Sequence, residues 1–337
     1  MMDRRRLSHI MNKAAKARIA VVGDLMLDVY VWGKASRISQ EAPVPVVQVR
    51  NRTQTIGGAA NVMRNIVSLG ARAKAFGVVG KDDAGKIIRS IISEQGIDDE
   101  FVLSDASRVS TQKQRIIAGT QQLLRIDYEK IEPVSSSIRA NLTEGLLSAI
   151  GKGKVDAVIF EDYAKGVINR ELAEAVNKEA LRKGIITALD PHPSQPLEVK
   201  GLTLMTPNRS EAFALSGTYY KETQRPVEKD KALVDVAGKI MKRWAPEHLL
   251  ITLGGDGMAL FGRNGRCLAV PTKAREVFDV SGAGDTVIAS FVLALLGGAS
   301  PAEAAEISNH AAGVVVGKIG TAAITVDELF QSFFERE

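Results

Sequence analysis

The chain predicts an α/β fold, with a mostly parallel central sheet and a small β-sheet lid. Three observations carry that reading. First, short apolar runs recur at residues 19–23, 75–79, 155–160, 185–189, 202–205 and 249–253, with the length and character of buried strands. Second, amphipathic helical patterns lie between several of them, at 61–69, 138–150, 171–181 and 231–244. Strands alternating with helices build a parallel sheet covered on both faces, and such sheets bind ligands at the carboxyl ends of their strands. Third, two segments break the alternation. Residues 44–49 read as an edge strand with prolines at its start. Residues 111–117 and 121–128 read as a hairpin turning at Ala118-Gly119-Thr120. Together they predict a lid drawn from about 29–50 and 109–128. No low-complexity linker or repeat divides the 337 residues. The expected organisation is a basic tail over 1–18 and one domain over 19–337.

Composition narrows the function classes. No apolar run is long enough to span a bilayer or to form a secretory signal, so a cytoplasmic protein without a membrane partner is expected. Part of the +5 net charge lies in Arg4, Arg5, Arg6, Lys13, Lys16 and Arg18. A solvated, frayed terminus accounts for that run, and nucleic-acid contact is the alternative it displaces. Cys267 is the single cysteine, which rules out an intrachain disulfide and fits a reducing compartment. It sits in an apparent strand, 266–270, and reads as a packing residue.

The strongest chemical signal is Asp279-Val280-Ser281-Gly282-Ala283-Gly284-Asp285. Small residues where a loop becomes a helix expose backbone N–H groups at the positive end of the helix dipole, which favours an anion. A carboxylate beside them can take a proton from a hydroxyl. Other stretches read two ways. Gly57-Gly58-Ala59-Ala60-Asn61 starts a helix and suits either a ligand close to the backbone or close helix packing. Asp24 and Asp28 follow the first strand, where Asp24 reads as a turn residue and Asp28 as a sugar-hydroxyl ligand in a loop. Asn208 and Glu211 form either a capping box or a site near phosphate-bound Mg²⁺. Gly254 and Gly257, after Thr252, suit nucleotide phosphates or a tight hairpin. Asn309 is at minimum a polar helix residue. No G-x-x-x-x-G-K-[ST] is present, which argues against a P-loop.

In this order and spacing the motifs resemble those of the ribokinase-like (PfkB) carbohydrate kinases. Gly57-Gly58-x-x-Asn61 is similar to the family's N-terminal signature, Asp279 to Asp285 to its C-terminal one, and Asn208-x-x-Glu211 lies between them. The resemblance runs from about Arg18 to the C-terminus. It implies a three-layer sandwich and phosphorylation of a sugar by ATP with Mg²⁺. It also implies Asp285 as base, with Gly282, Ala283 and Gly284 as the anion hole. Asn208 and Glu211 would organise Mg²⁺ and phosphates, Glu211 through water. Thr252, Gly254 and Gly257 would form the nucleotide loop, Asn309 would lie beside the adenine, and Asp28, Gly57, Gly58 and Asn61 would hold sugar hydroxyls. Asp279 and Ser281 are candidates for a monovalent cation such as K⁺.

Within the family, residues 23–28, 37–46, 121–127 and 162–166, together with 317–321, resemble the heptose 7-phosphate kinases. That likeness implies phosphorylation of the C1 hydroxyl of D-glycero-β-D-manno-heptose 7-phosphate, on the route to ADP-heptose and lipopolysaccharide. A sugar phosphate needs cations at its far end, and Arg37, Lys113, Arg115, Arg125 and Lys165, with Asp162, are the candidates. Lys113 and Arg115 alternate onto one strand face, which suggests a shared target. Five positions depart from that subgroup: Gln40 for Pro, Glu161 for Ser, Ala164 for Gly, and His192-Pro193 for Lys-Gly. The chain ends soon after the kinase region, so a separate adenylyltransferase is expected downstream. The rival readings are another PfkB specificity and a non-catalytic binding protein on the same fold. The apolar edge strand at 44–49 predicts a homodimer.

Overall fold

The computed structural model describes residues 2–274 and 277–335. The chain opens with α1 (Arg4–Ala14), β1 (Arg18–Gly23), β2 (Leu25–Ile38), β3 (Pro45–Gly58), α2 (Ala59–Ser68), β4 (Arg72–Gly80), α3 (Asp83–Glu94) and β5 (Asp98–Asp105). It continues with β6 (Thr111–Ala118), β7 (Gln121–Tyr128), α4 (Ser136–Gly151), β8 (Ala157–Glu161), α5 (Arg170–Lys183), β9 (Ile186–Asp190), β10 (Leu204–Met205) and α6 (Arg209–Leu215). The last elements are α7 (Lys231–Trp244), β11 (His248–Thr252), β12 (Met258–Gly262), β13 (Cys267–Val270), α8 (Ala283–Leu296), α9 (Pro301–Val315) and α10 (Val326–Phe334).

The central sheet runs β13-β12-β11-β10-β9-β8-β1-β4-β5. From β11 to β5 every pairing is parallel, and β12 and β13 add an antiparallel edge. Alternation along β1 shows why the sheet needs cover on both faces. Ile19 and Val21 belong to the core beneath α1, α2, α8 and α9, whereas Ala20 and Val22 belong to the core beneath α4 to α7. This is the expected three-layer α/β arrangement.

The lid is a separate sheet in the order β3-β2-β6-β7. It is larger than the sequence suggested. The expected edge strand at 44–49 continues to Gly58, where a positive φ of 58° turns the chain into α2. Its partner β2 begins directly after Asp24, so Asp28 lies in a strand and not, as expected, in a loop. Register places Asp28 opposite Lys113, and Tyr30 opposite Arg115. Lys113 in turn faces Asp127, and Arg115 faces Arg125. These side chains therefore share one face of the lid.

The N-terminal segment corrects a second expectation. It is a capped helix and not a frayed tail: the Asp3 side chain accepts from the Arg6 N–H, and Leu7, Ile10, Met11 and Ala14 are buried. Their helical spacing forms one apolar stripe, which packs on α8 and α10. The approach is close enough that a Cβ at Gly297 would lie 2.4 Å from the Ile10 carbonyl oxygen. Arg6 forms a two-bonded ion pair with Glu303, at 2.8 and 2.9 Å, and Arg18 pairs with Asp156. Much of the basic character is thus spent on the fold. An Ile10→Ala variant is expected to lose about 2–5 kcal/mol of stability in urea unfolding, since Ile10 is fully buried. A loss below about 1 kcal/mol would show that α1 is only loosely docked.

Candidate active site

The carboxyl ends of β1, β8, β9 and β11 meet the start of α8. Gly282 takes φ 79°, and α8 then begins at Ala283 with no side-chain cap. By contrast α6, α9 and α10 each carry a full capping box. An uncapped helix start keeps donors available for an anion. Asp285 stands in this first turn, 2% exposed. Its Oδ2 accepts from Asn61 Nδ2 at 2.7 Å, and its Oδ1 accepts from the Tyr163 hydroxyl at 3.0 Å. Burial raises its pKa to about 6, against the two hydrogen bonds that pull it down. Burial also holds Tyr163 well above its ordinary value, so the phenol stays protonated and donates. A carboxylate fixed from two sides, with its pKa moved toward neutrality, suits proton acceptance.

Asp285 closes one end of a 760 Å³ cavity. The cavity is also lined by Gly282, Ala283, Gly284, Asn208, Glu211, Thr252, Gly254, Gly257 and Asn309, so the expected catalytic and nucleotide residues meet in one place. Asn208 and Glu211 form the capping box and also line the cavity. The Asn208 side chain accepts from the Glu211 N–H, Glu211 Oε2 accepts from the Asn208 N–H, and both residues face the cavity. The glycines of the next loop divide by role. A Cβ at Gly257 would lie 2.1 Å from the Val270 carbonyl oxygen, so packing against β13 requires that glycine. Gly254 has φ 58° with open space around it, which leaves its backbone accessible. Asn309 donates its amide to the Pro271 carbonyl and so ties α9 to the loop after β13.

The pfkB family carbohydrate kinase pattern matches residues 16–328. The chain belongs to that family. As a pfkB sugar kinase it is 40% identical over 331 residues to the bifunctional protein HldE of Pelobacter propionicus, covering 98% of this chain and 66% of that protein. It is 42% identical over 315 residues to the Desulfatibacillum aliphaticivorans protein of the same name, covering 94% of this chain and 63% of that one. The chain thus spans somewhat under two thirds of the length of these relatives. Its fold is similar to Arabidopsis thaliana ribokinase complexed with ribose and ATP, with a TM-score of 0.72 at 20% identity, covering 95% of this chain and 100% of that one. It is also similar to Escherichia coli phosphofructokinase-2 in complex with potassium, with a TM-score of 0.75 at 18% identity, covering 94% and 98% of the two chains.

Several residues of this pfkB kinase stand elsewhere than sequence reasoning put them. Asp28 and Arg115 form a buried ion pair, so neither carries a free charge, and a Cβ at Gly57 would lie 2.2 Å from Asp28 Oδ2. Arg115 is thus taken up by Asp28, which also lies opposite Lys113 in register and attracts its charge. Lys113 lies 5.2 Å over the Tyr163 ring. Gly57 and Gly58 serve packing, because a Cβ at Gly58 would meet the Asp24 carbonyl oxygen at 2.5 Å. Asn61 is spent on the base, although its Oδ1 has no partner. Asp162 accepts from the Ala164 N–H in its own turn, and burial lifts its pKa to about 7. Lys165 pairs with Glu129, Arg125 with Asp127, and Arg37 lies exposed at the far end of β2. Asp279 accepts from the N–H groups of Ser281 and Gly320, stapling the signature loop to the segment after α9. Burial pushes the Cys267 thiol up to about 11, in keeping with a packing role.

Sequence reasoning missed Tyr163 as a partner of the base, although the Asp162-Tyr163 motif contained it. Asp24, read as a turn residue, is buried and accepts from the N–H groups of Tyr163 and Lys165. It thereby fixes the loop that presents Tyr163. Asp190 and Thr206 also line the cavity without having been singled out.

Proposed function

We propose that this sugar kinase transfers the γ-phosphoryl group of ATP to the C1 hydroxyl of D-glycero-β-D-manno-heptose 7-phosphate, forming the 1,7-bisphosphate. The observation that carries phosphoryl transfer is Asp285, buried and doubly held, at the uncapped start of α8. Asp285 accepts the hydroxyl proton. The backbone N–H groups of Gly282 and Gly284 stabilise charge on the transferring group, while that of Ala283 donates to the Val280 carbonyl at 3.3 Å. Asn61 and Tyr163 hold the carboxylate in place. Transfer of this kind depends mostly on positioning and electrostatics.

Mg²⁺ suits the donors present. Burial raises the Glu211 pKa, so a nearby cation would favour its ionised form, and Asn208 adds an oxygen beside it. The ion would neutralise charge on the ATP phosphates through bound water. Asp279 and Ser281 remain our candidates for K⁺.

Support for a phosphorylated sugar comes from the cations around Tyr163. Burial lowers the Lys113 pKa, the Asp28 charge opposes that shift, and the like charges of Arg125 and Lys165 add to it. Burial also lowers His192, and Lys165 and Lys113 lower it further, which places all three near one another. Arg125 and Lys165 are already paired with Asp127 and Glu129, so Lys113 and His192 are the candidates to meet a remote phosphate. The heptose itself rests on the similarity to the proteins named HldE. An adenylyltransferase would consume the product. The exposed Ile38, Val49 and Leu124 of the lid support a homodimer, which light scattering would show.

The deciding experiment is a panel of sugars and sugar phosphates with ATP. Heptose 7-phosphate should give the highest kcat/KM, and Lys113→Ala should raise its KM more than tenfold, as loss of a charged phosphate contact does. Preference for a neutral sugar would overturn the assignment.

A further inference from the structure

The segment that joins α6 to α7 runs along the cavity, with Tyr220, Glu222 and Thr223 in its wall. This strap is tied on both sides. On one side stands Arg209, the first residue of α6, 5% exposed. Its Nε donates to the Lys221 carbonyl at 2.6 Å, and its Nη2 donates to the Glu222 carbonyl at 2.7 Å and to Asp230 Oδ2 at 2.9 Å. Asp230 is fully buried, accepts from the Gln224 N–H and caps α7 through the Leu233 N–H. Pulling the strap away would leave a buried charge uncompensated, so residues 221–224 are held in place. On the other side Arg225 donates from Nε and Nη2 to Asp256 Oδ1, and Thr223 donates to the same carboxylate. The Arg225 hydrogen bonds hold Asp256 below its ordinary pKa, so it is ionised. Asp256 lines the cavity two residues after Gly254, around which the space is open. Uncovered, it would set a negative charge where nucleotide phosphates approach, and like charges oppose binding. Stability does not account for the pair: the Arg225 side chain is 70% exposed, and surface pairs add little.

We propose that Arg225 is a positioning residue for the nucleotide, which neutralises Asp256 and holds it against the strap so that phosphates can reach the backbone at Gly254. Arg209 and Asp230 are the anchor that gives an otherwise exposed Arg225 a fixed place. The inference rests on the nucleotide reading of the cavity and is independent of the heptose.

The test titrates ADP into the full chain by calorimetry, without sugar. Arg225→Ala should weaken ADP binding about tenfold, because one like charge is then uncovered beside the phosphates. Its melting temperature should stay within about 2 °C of the wild type, as for loss of an exposed pair. Asp256→Asn alone should bind ADP at least as tightly as the wild type. Combining it with Arg225→Ala should restore binding to within about twofold, a rescue that a merely structural role for Arg225 would not give. Unchanged ADP binding by Arg225→Ala would overturn the proposal. So would a double variant as weak as Arg225→Ala, which would mean that Arg225 meets the phosphates itself. A wild type that binds no ADP would instead remove the nucleotide reading of the cavity, and this inference with it.

Discussion

An Asp285→Asn enzyme should turn over about 10²- to 10⁴-fold more slowly than the wild type, the usual range for loss of a general base. The substitution is nearly isosteric. The amide oxygen can still accept from Asn61, and the Tyr163 hydroxyl can rotate to accept from the new amide N–H. The fold should therefore survive, and ATP affinity, set by the rest of the cavity, should stay within a few fold. Steady-state kinetics together with nucleotide titration separates these quantities. Near-normal kcat in a folded Asp285→Asn enzyme would remove Asp285 as the base. A lost fold would say that the carboxylate is structural.

The wild-type pH profile follows from the same residue. With the Asp285 pKa raised to about 6 by burial, kcat/KM should be level above about pH 7 and fall roughly tenfold per pH unit well below 6, as the base becomes protonated. The sign for stability is opposite to that of an ion-paired carboxylate. Between the ordinary carboxylate value and about 6, the folded protein holds a proton at Asp285 that the unfolded chain has released. Stability contributed there is lost as pH rises through that window. Asp285→Asn should flatten this part of the stability profile as well as the activity profile.

What could be read from the sequence was local chemistry in fixed order. Gly282 to Asp285, Asn208 with Glu211, and the loop after Thr252 each act through their own backbone, so their spacing alone described much of the cavity. The lid was harder. β2 opens on apolar residues interrupted only by Asp28, and bulges between Trp32 and Gly33 and between Ala35 and Arg37 disturb its register, so no alternation marks it as a strand. The Asp28–Arg115 ion pair depends on a parallel pairing between residues 87 apart, and the Tyr163–Asp285 bond joins residues 122 apart. No local pattern encodes either. In α1 the signal was present, in the spacing of Leu7, Ile10, Met11 and Ala14, but six basic residues among the first eighteen drew the reading toward a solvated tail.

Gly282→Ala should cost about 10²- to 10³-fold in kcat, comparable to removing a donor from an oxyanion site. Two effects combine there. The backbone sits at φ 79°, where an L-residue with a side chain pays roughly 1–2 kcal/mol. The added Cβ would also lie 2.5 Å from Asn61 Nδ2 and 3.5 Å from Asp285 Oδ2. Asn61 is fully buried and has no room to withdraw, so the strain falls on the hydrogen bond that orients the base. Relief by shifting the start of α8 would instead move the anion donors. Gly184→Ala separates strain from site. Gly184 caps α5 at φ 66° with open space around it, so its substitution should cost similar stability and leave kcat unchanged. If both variants lose stability but only Gly282→Ala loses turnover, the close approach of Gly282 to Asn61 and Asp285 is catalytic in purpose. If Gly282→Ala keeps turnover, the start of α8 is not the anion site.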